Sequence, residues 1–143
     1  MATGNPAEEI RKLAKDLGKI PPELRKAIRP ALKAAAEPIA ADARRRASWS
    51  RRIPAAITLG VRVSARNPGV YVRARQTKAP IARMYEGITG KGTFRHPFFG
   101  DRKRWVTQAT RPYLAPAAEA GMGGVLDAAA AAVDQVAREQ GFR

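Results

Sequence analysis

Few residues in this sequence are equipped for covalent or metal chemistry. There is one histidine, His96, and no cysteine. A serine nucleophile would need His96 beside Ser48, Ser50 or Ser64, with Asp101 or Glu86 as the third member. Nothing nearby resembles a nucleophile elbow. A metal would need His96, Glu86 and Asp101 to converge, and the surrounding positive charge opposes that. The stretch Gly87–Thr93 superficially suggests a phosphate loop. It fails because Lys91 is followed by Gly92 rather than Ser or Thr, and because Tyr85 stands where the motif needs glycine. The expectation is a protein that is not an enzyme, with no catalytic residues, metal or cofactor.

Arginine is the chemistry the sequence does supply. Arg44, Arg45, Arg46, Arg51 and Arg52 cluster after a helical stretch, with Trp49 among them. Such a helix end could grip phosphates or stack a base. It could equally place cations where the helix dipole favours them. Arg62, Arg66, Arg73 and Arg75 form a second group. A third, basic stretch carries His96, Phe98, Phe99 and Trp105. Aromatics beside arginines are the composition of an interface core. The alternative is that these aromatics fold back as a satellite core.

The balance of charge agrees. The chain of 143 residues carries 27 Lys plus Arg against 12 Asp plus Glu, net +15. Between Arg44 and Arg111 the only acids are Glu86 and Asp101, while the two flanks are balanced. Charge confined to the middle points to an acidic partner, either nucleic acid or an acidic protein surface. No zinc-finger, RNA-recognition or helix-turn-helix pattern appears, so DNA contact would be to backbone alone.

The elements that must position these residues read as one domain over 1–143. Ile10, Leu13, Leu17 and Ile20 give residues 6–20 one apolar helical stripe. A longer helix follows over 22–47, striped by Leu24, Ile28, Leu32, Ala35, Ile39 and Ala43. Pro30 and Pro38 inside it should kink or split it. The period then changes to two. Ile57, Leu59, Val61, Val63 and Ala65 alternate with polar residues, as do Val70, Val72 and Ala74, around a turn at Asn67-Pro68-Gly69. This predicts an antiparallel hairpin over 56–75. With a tight turn over 66–69, Arg62 is expected roughly opposite Arg73, a repulsive pairing that implies an acidic partner. Residues 76–111 read as a basic, irregular region. Within it 80–86 is a short helix or strand, 87–104 a long loop that becomes ordered against a neighbour, and Trp105–Thr110 a possible third strand. Helix returns over 112–140 with Met122, Leu126, Ala129, Val133 and Val136 on one stripe. Gly121, Gly123 and Gly124 weaken its start. The fold class is α+β: N-terminal helices including a kinked long one, an antiparallel hairpin, and a C-terminal helix packed on the sheet. No stretch approaches the ~18 apolar residues of a membrane span, and the N-terminus lacks signal-peptide features. A soluble, cytoplasmically assembled product is expected.

Several short motifs resemble one family. Ile81-Ala82-Arg83-Met84-Tyr85-Glu86-Gly87 is similar to the Ala-x-x-x-Glu-x-Gly signature of phage tail-component proteins. Here Ile88-Thr89-Gly90 displaces the usual Gly-Thr. Arg111-Pro112-Tyr113-Leu114-Ala115-Pro116-Ala117 looks like that family's Pro-Phe-Leu-x-Pro-Ala ending, in the form found in phages of high-GC actinobacteria. Ala34–Ile39 and Ala41–Ala43 resemble its helix before the sheet, and Arg52–Ile57 its entry into the first strand. The resemblance spans about residues 24–120. It implies a virion or assembly protein of long-tailed phages, of the minor tail, tail-completion or neck type, that joins head connector to tail as a ring. The implied partners are copies of itself, connector or stopper, and tail terminator or tail tube proteins; the basic middle adds a possible backbone contact with packaged DNA, and no membrane partner is expected. The alternative reading is a basic DNA-binding protein without sequence preference.

Overall fold

The computed structural model describes residues 21–64, 66, 69–87 and 90–141. The helix expected over 6–20 lies outside them, as do Asn67 and Pro68 of the expected turn. The remaining architecture is α+β.

Helix α1 spans Pro22–Arg46 and runs unbroken through Pro30 and Pro38. The positions explain the tolerance. Each proline deprives the carbonyl four residues earlier of its donor. Those residues, Lys26 and Ala34, are exposed, and so are both prolines, so the unpaired carbonyls face water. The opposite face buries Leu24, Ile28, Leu32, Ala36, Ile39, Ala40 and Ala43. A short helix α2, Arg52–Ala56, leads directly into β1, Ile57–Arg62, which pairs antiparallel with β2, Gly69–Ala74.

The hairpin is as expected but its register is not. Arg62 faces Gly69, and Arg73 faces Thr58. The connection from 63 to 68 is longer than a tight turn, which moves the two arginines off a common rung. Tyr71 faces Gly60, and its ring lies across that glycine, where a β-carbon would clash with it. The guanidinium groups of Arg62 and Arg73 each sit 5.3 Å from the Tyr71 ring centre. One aromatic ring thus serves two cations that would otherwise repel.

Residues 80–86 settle as helix, α3, Ala82–Glu86, closed by Gly87 in the left-handed conformation (φ +89°). The basic segment after it is not the long loop its composition indicates. It forms a second antiparallel hairpin, β3 (Thr93–Phe98) and β4 (Asp101–Ala109), turning through Phe99 and Gly100. The extensive contacts of these two strands are with each other, so the hairpin stands out as an arm. Helix α4, Leu114–Glu139, returns along α1. At the crossing Gly121 faces Ile39: a methyl added there would stand 2.6 Å from Ile39 Cγ1. This glycine is the price of close helix approach, whereas Gly123 and Gly124 have no neighbour that a methyl would meet.

Two apolar clusters result. One joins α1, α2, the start of β1, the end of β2, α3 and the α4 N-terminus through Ile53, Ile57, Ala82, Tyr113 and Ala117. The other sits toward the far end of α1 and α4, around Leu24, Ile28, Leu32 and Ala129, with Val61 and Val133 against it.

Candidate functional site

Helix α4 opens with Tyr113-Leu114-Ala115-Pro116, and Tyr113 provides no side-chain cap. Its free N–H groups need acceptors all the same. Glu86, at the end of α3, supplies them. Its Oε2 accepts from the N–H of Tyr113 (2.9 Å) and Leu114 (3.0 Å), and its Oε1 from Ala115 (2.7 Å). Pro116 has no donor to satisfy. A carboxylate at this end also complements the helix dipole. The Tyr113 hydroxyl donates to the Ala82 carbonyl at 3.2 Å, and its ring is buried. Burial, with the Glu86 carboxylate adding to it, pushes the Tyr113 phenol up to about 12. The two motifs singled out in the sequence, at 81–87 and 111–117, are therefore halves of one junction. Glu86, weighed above as a catalytic or metal-binding acid, is a helix cap.

The arm is rooted on this junction. Trp49, Tyr85, Phe94 and His96 form a chain of rings with centroids 4.6, 5.0 and 5.9 Å apart. The Arg111 guanidinium covers Trp49 at 5.2 Å. Trp49, one of whose two readings is a platform for a base, packs against Tyr85 and under Arg111. His96 meets the Gln108 side-chain oxygen through Nε2 (3.0 Å), with its Nδ1 3.1 Å from the Pro97 carbonyl. It belongs to the arm's pairing.

Beyond that root the arm is exposed. Pro97 pairs with Trp105 but Phe98 pairs with Asp101, so Arg102, Lys103 and Arg104 bulge from β4. The bulge is closed by its own hydrogen bonds. The Lys103 N–H donates to Asp101 Oδ1 (2.9 Å), and Trp105 Nε1 to the Arg102 carbonyl (2.9 Å). At the tip Phe98 and Phe99 meet edge to face at 4.6 Å, with Arg104 4.7 Å over Phe98. Phe99 is 94% exposed and Trp105 50%. Phe99 also adopts φ +47°, followed by Gly100 at +83°. Two successive positive φ values are the demand of a two-residue hairpin turn, normally met by Asn-Gly. A phenylalanine there is strained, and such strain clusters at functional sites.

The other expected cations divide into groups. Arg44 pairs with Glu37 (2.8 Å) and donates to the Ile57 carbonyl (3.3 Å), while Arg45 and Arg46 both hold Asp42. The Arg46 hydrogen bond, with Arg45 beside it, keeps the Asp42 carboxyl below its ordinary value. These three are tied to acids of their own helix. Arg51 and Arg52 are exposed at the start of α2. Arg73 and Arg75 come together with Arg83, which the sequence did not single out, around an open basin of about 640 Å³ beside Glu86 and Tyr113.

An apolar groove of about 450 Å³ lies between α1, β2 and α4, lined by Leu32, Ile39, Val70, Val72, Met122 and Val125 among others. Among the described residues, no group of His, Cys, Asp and Glu could hold a metal ion, and no helix is long and apolar enough to cross a membrane.

Comparison with known proteins gives one match. The family described as "Bacteriophage HK97-gp10, putative tail-component" matches over residues 11–86. No curated protein and no solved structure matches.

Proposed function

We propose, because this chain belongs to the HK97-gp10-like family of bacteriophage tail components, that it is a structural part of the particle that joins the head connector to the tail, in a ring of like subunits. It acts by contact rather than by catalysis. The observation that carries this reading is the arm: a rooted hairpin that ends in two exposed phenylalanines and a bulge of three cations. Its partners are copies of itself and the connector, terminator or tube proteins on either side. The basin of Arg73, Arg75 and Arg83 fits an acidic loop of such a neighbour.

Electron microscopy of purified particles tests it. Density for this chain is expected at the head–tail junction, and particles made without it should leave heads and tails unjoined. A chain absent from purified virions overturns the proposal. Duplex DNA binding separates the alternative. Backbone recognition by several arginines would weaken steeply as salt rises. Under the joining role, binding is weak and confined to low salt.

A further inference from the structure

The arm and the groove are complementary, and they occur on one chain. We propose that the arm of one copy seats Phe98 and Phe99 in the apolar groove of a second copy. The inference rests on the joining role above only in taking subunit contact as the way this chain works.

Size is the first argument. A dry cavity of about 150 Å³ accepts one benzene, so a groove of about 450 Å³ has room for two phenyl rings. Reach is the second. Phe94 is buried at the arm's root, and Phe99 lies five residues further along. At about 3.3 Å per strand residue the tip stands roughly 17 Å beyond that root, clear of its own body and able to enter another.

Charge selects the occupant. The arm from Lys91 to Arg111 holds six basic residues and one acid, Asp101. Helix α4 holds four acids, Glu119, Asp127, Asp134 and Glu139, against Arg138 alone. Among the described residues, the one charged side chain lining the groove is Glu86. Glu119 is exposed three residues before Met122, so it stands at the groove's rim. The α1 side of the groove is basic, with Lys33 exposed beside Leu32, so Arg102, Lys103 and Arg104 meet opposite charge on the α4 side, where Glu119 stands. A copy of this chain carries that arm without any further assumption.

The geometry of the contact also follows. Arm and groove are different surfaces, so the contact is heterologous. Such contacts repeat head to tail and close into rings when the rotation permits. Seating the tip also fixes a turn that phenylalanine adopts only under strain, which gives the residue at position 99 a reason to be aromatic rather than asparagine.

Sedimentation of purified chains tests the proposal. The natural chain is expected to self-associate. Phe98→Ser with Phe99→Ser should weaken association about thirtyfold or more, as truncation of central aromatics does, while thermal melting stays nearly unchanged. Ala118→Arg, which fills the groove from α4, should do the same. An equimolar mixture of the two variants retains one intact arm and one intact groove, so it should form heterodimers and nothing larger. Oxidation of Phe99→Cys mixed with Met122→Cys should give the mixed disulfide in excess over either like pair, since the protein has no other cysteine. Variants that associate like the natural chain, a mixture that stays monomeric, or a natural chain that never associates each overturn the proposal. If the natural chain stays monomeric but the arm variant fails to enter particles, the arm docks on a different tail protein. The joining role then stands and this inference falls. If the chain self-associates as expected but is missing from virions, the joining role falls and the contact between copies stands.

Discussion

The junction around Glu86 and the tip around Phe99 lie on either side of the arm's root and are opposites. At the junction one carboxylate satisfies three backbone donors, a buried phenol reaches a carbonyl, and Ala79, Ala82 and Ala117 are buried in the same cluster. At the tip two phenyl rings face solvent and one of them holds a left-handed backbone. The contrast separates two jobs. At the junction the Glu86 carboxylate and the Tyr113 hydroxyl are consumed inside the subunit, so these two groups answer to the fold. The tip does little for its own subunit, which is what the proposed contact requires of it. The family match ends at Glu86, and that residue closes onto Tyr113, Leu114 and Ala115, which lie beyond the matched segment.

If the junction is the fold's clasp, the largest stability loss should come from Glu86→Ala. It leaves three helix donors without an acceptor. Hydrogen bonds to a charged group are each worth about 1.5–3 kcal/mol, and these three share one carboxylate, so a loss on the order of 3 kcal/mol is expected in chemical denaturation. A change below about 0.5 kcal/mol would erase the distinction between junction and tip. Next comes the helix crossing. Gly121→Val should cost about 1–3 kcal/mol by overpacking Ile39. Gly123→Ala on the open side should instead stabilise by up to about 1 kcal/mol through helix propensity. Equal effects would show that α4 does not approach α1 as closely as described.

The smallest effect is at Tyr113. Tyr113→Phe removes one hydrogen bond, worth about 1 kcal/mol. Its pH signature is more specific. The folded-state phenol lies near 12 against an ordinary 10.0, so the native state favours the protonated form. Its contribution is complete below pH 10 and is lost as pH rises toward 12. The natural chain should lose stability across that window, and the Phe variant should lose less. Matching alkaline profiles would mean the hydroxyl is not buried against Ala82.

The first hairpin is legible because Ile57 to Val63 and Val70 to Ala74 keep a strict period of two. Both long helices are legible from stripes such as Leu24, Ile28 and Leu32. The arm is not. Pro97 and Gly100 read as loop residues, and the three-residue bulge at 102–104 interrupts the alternation that would mark β4. Pro97 is tolerated because a two-stranded ribbon consists only of edge strands. The sequence does single out His96, Phe98, Phe99 and Trp105 as an interface, and the structure brings them onto one arm. The role of Glu86 is hidden for a different reason. Caps are sought within a few residues of a helix start, and this one lies 27 residues upstream of Tyr113. The expected clash of Arg62 with Arg73 fails because it presumes a tight turn, and because Tyr71 stands as the ring between them.

Among the described residues, two ribbons of two strands each leave four open edges. Unpaired backbone along such an edge invites strands from other molecules. Every edge here carries a deterrent. Arg62 lies on β1 and Arg73 on β2; β3 has Arg95 and Pro97; β4 has Arg102, Lys103 and Arg104. Arginines placed to meet an acidic neighbour therefore also guard the strand edges on which they lie. Stacking of one subunit on another, strand against strand, is disfavoured wherever these cations and Pro97 stand.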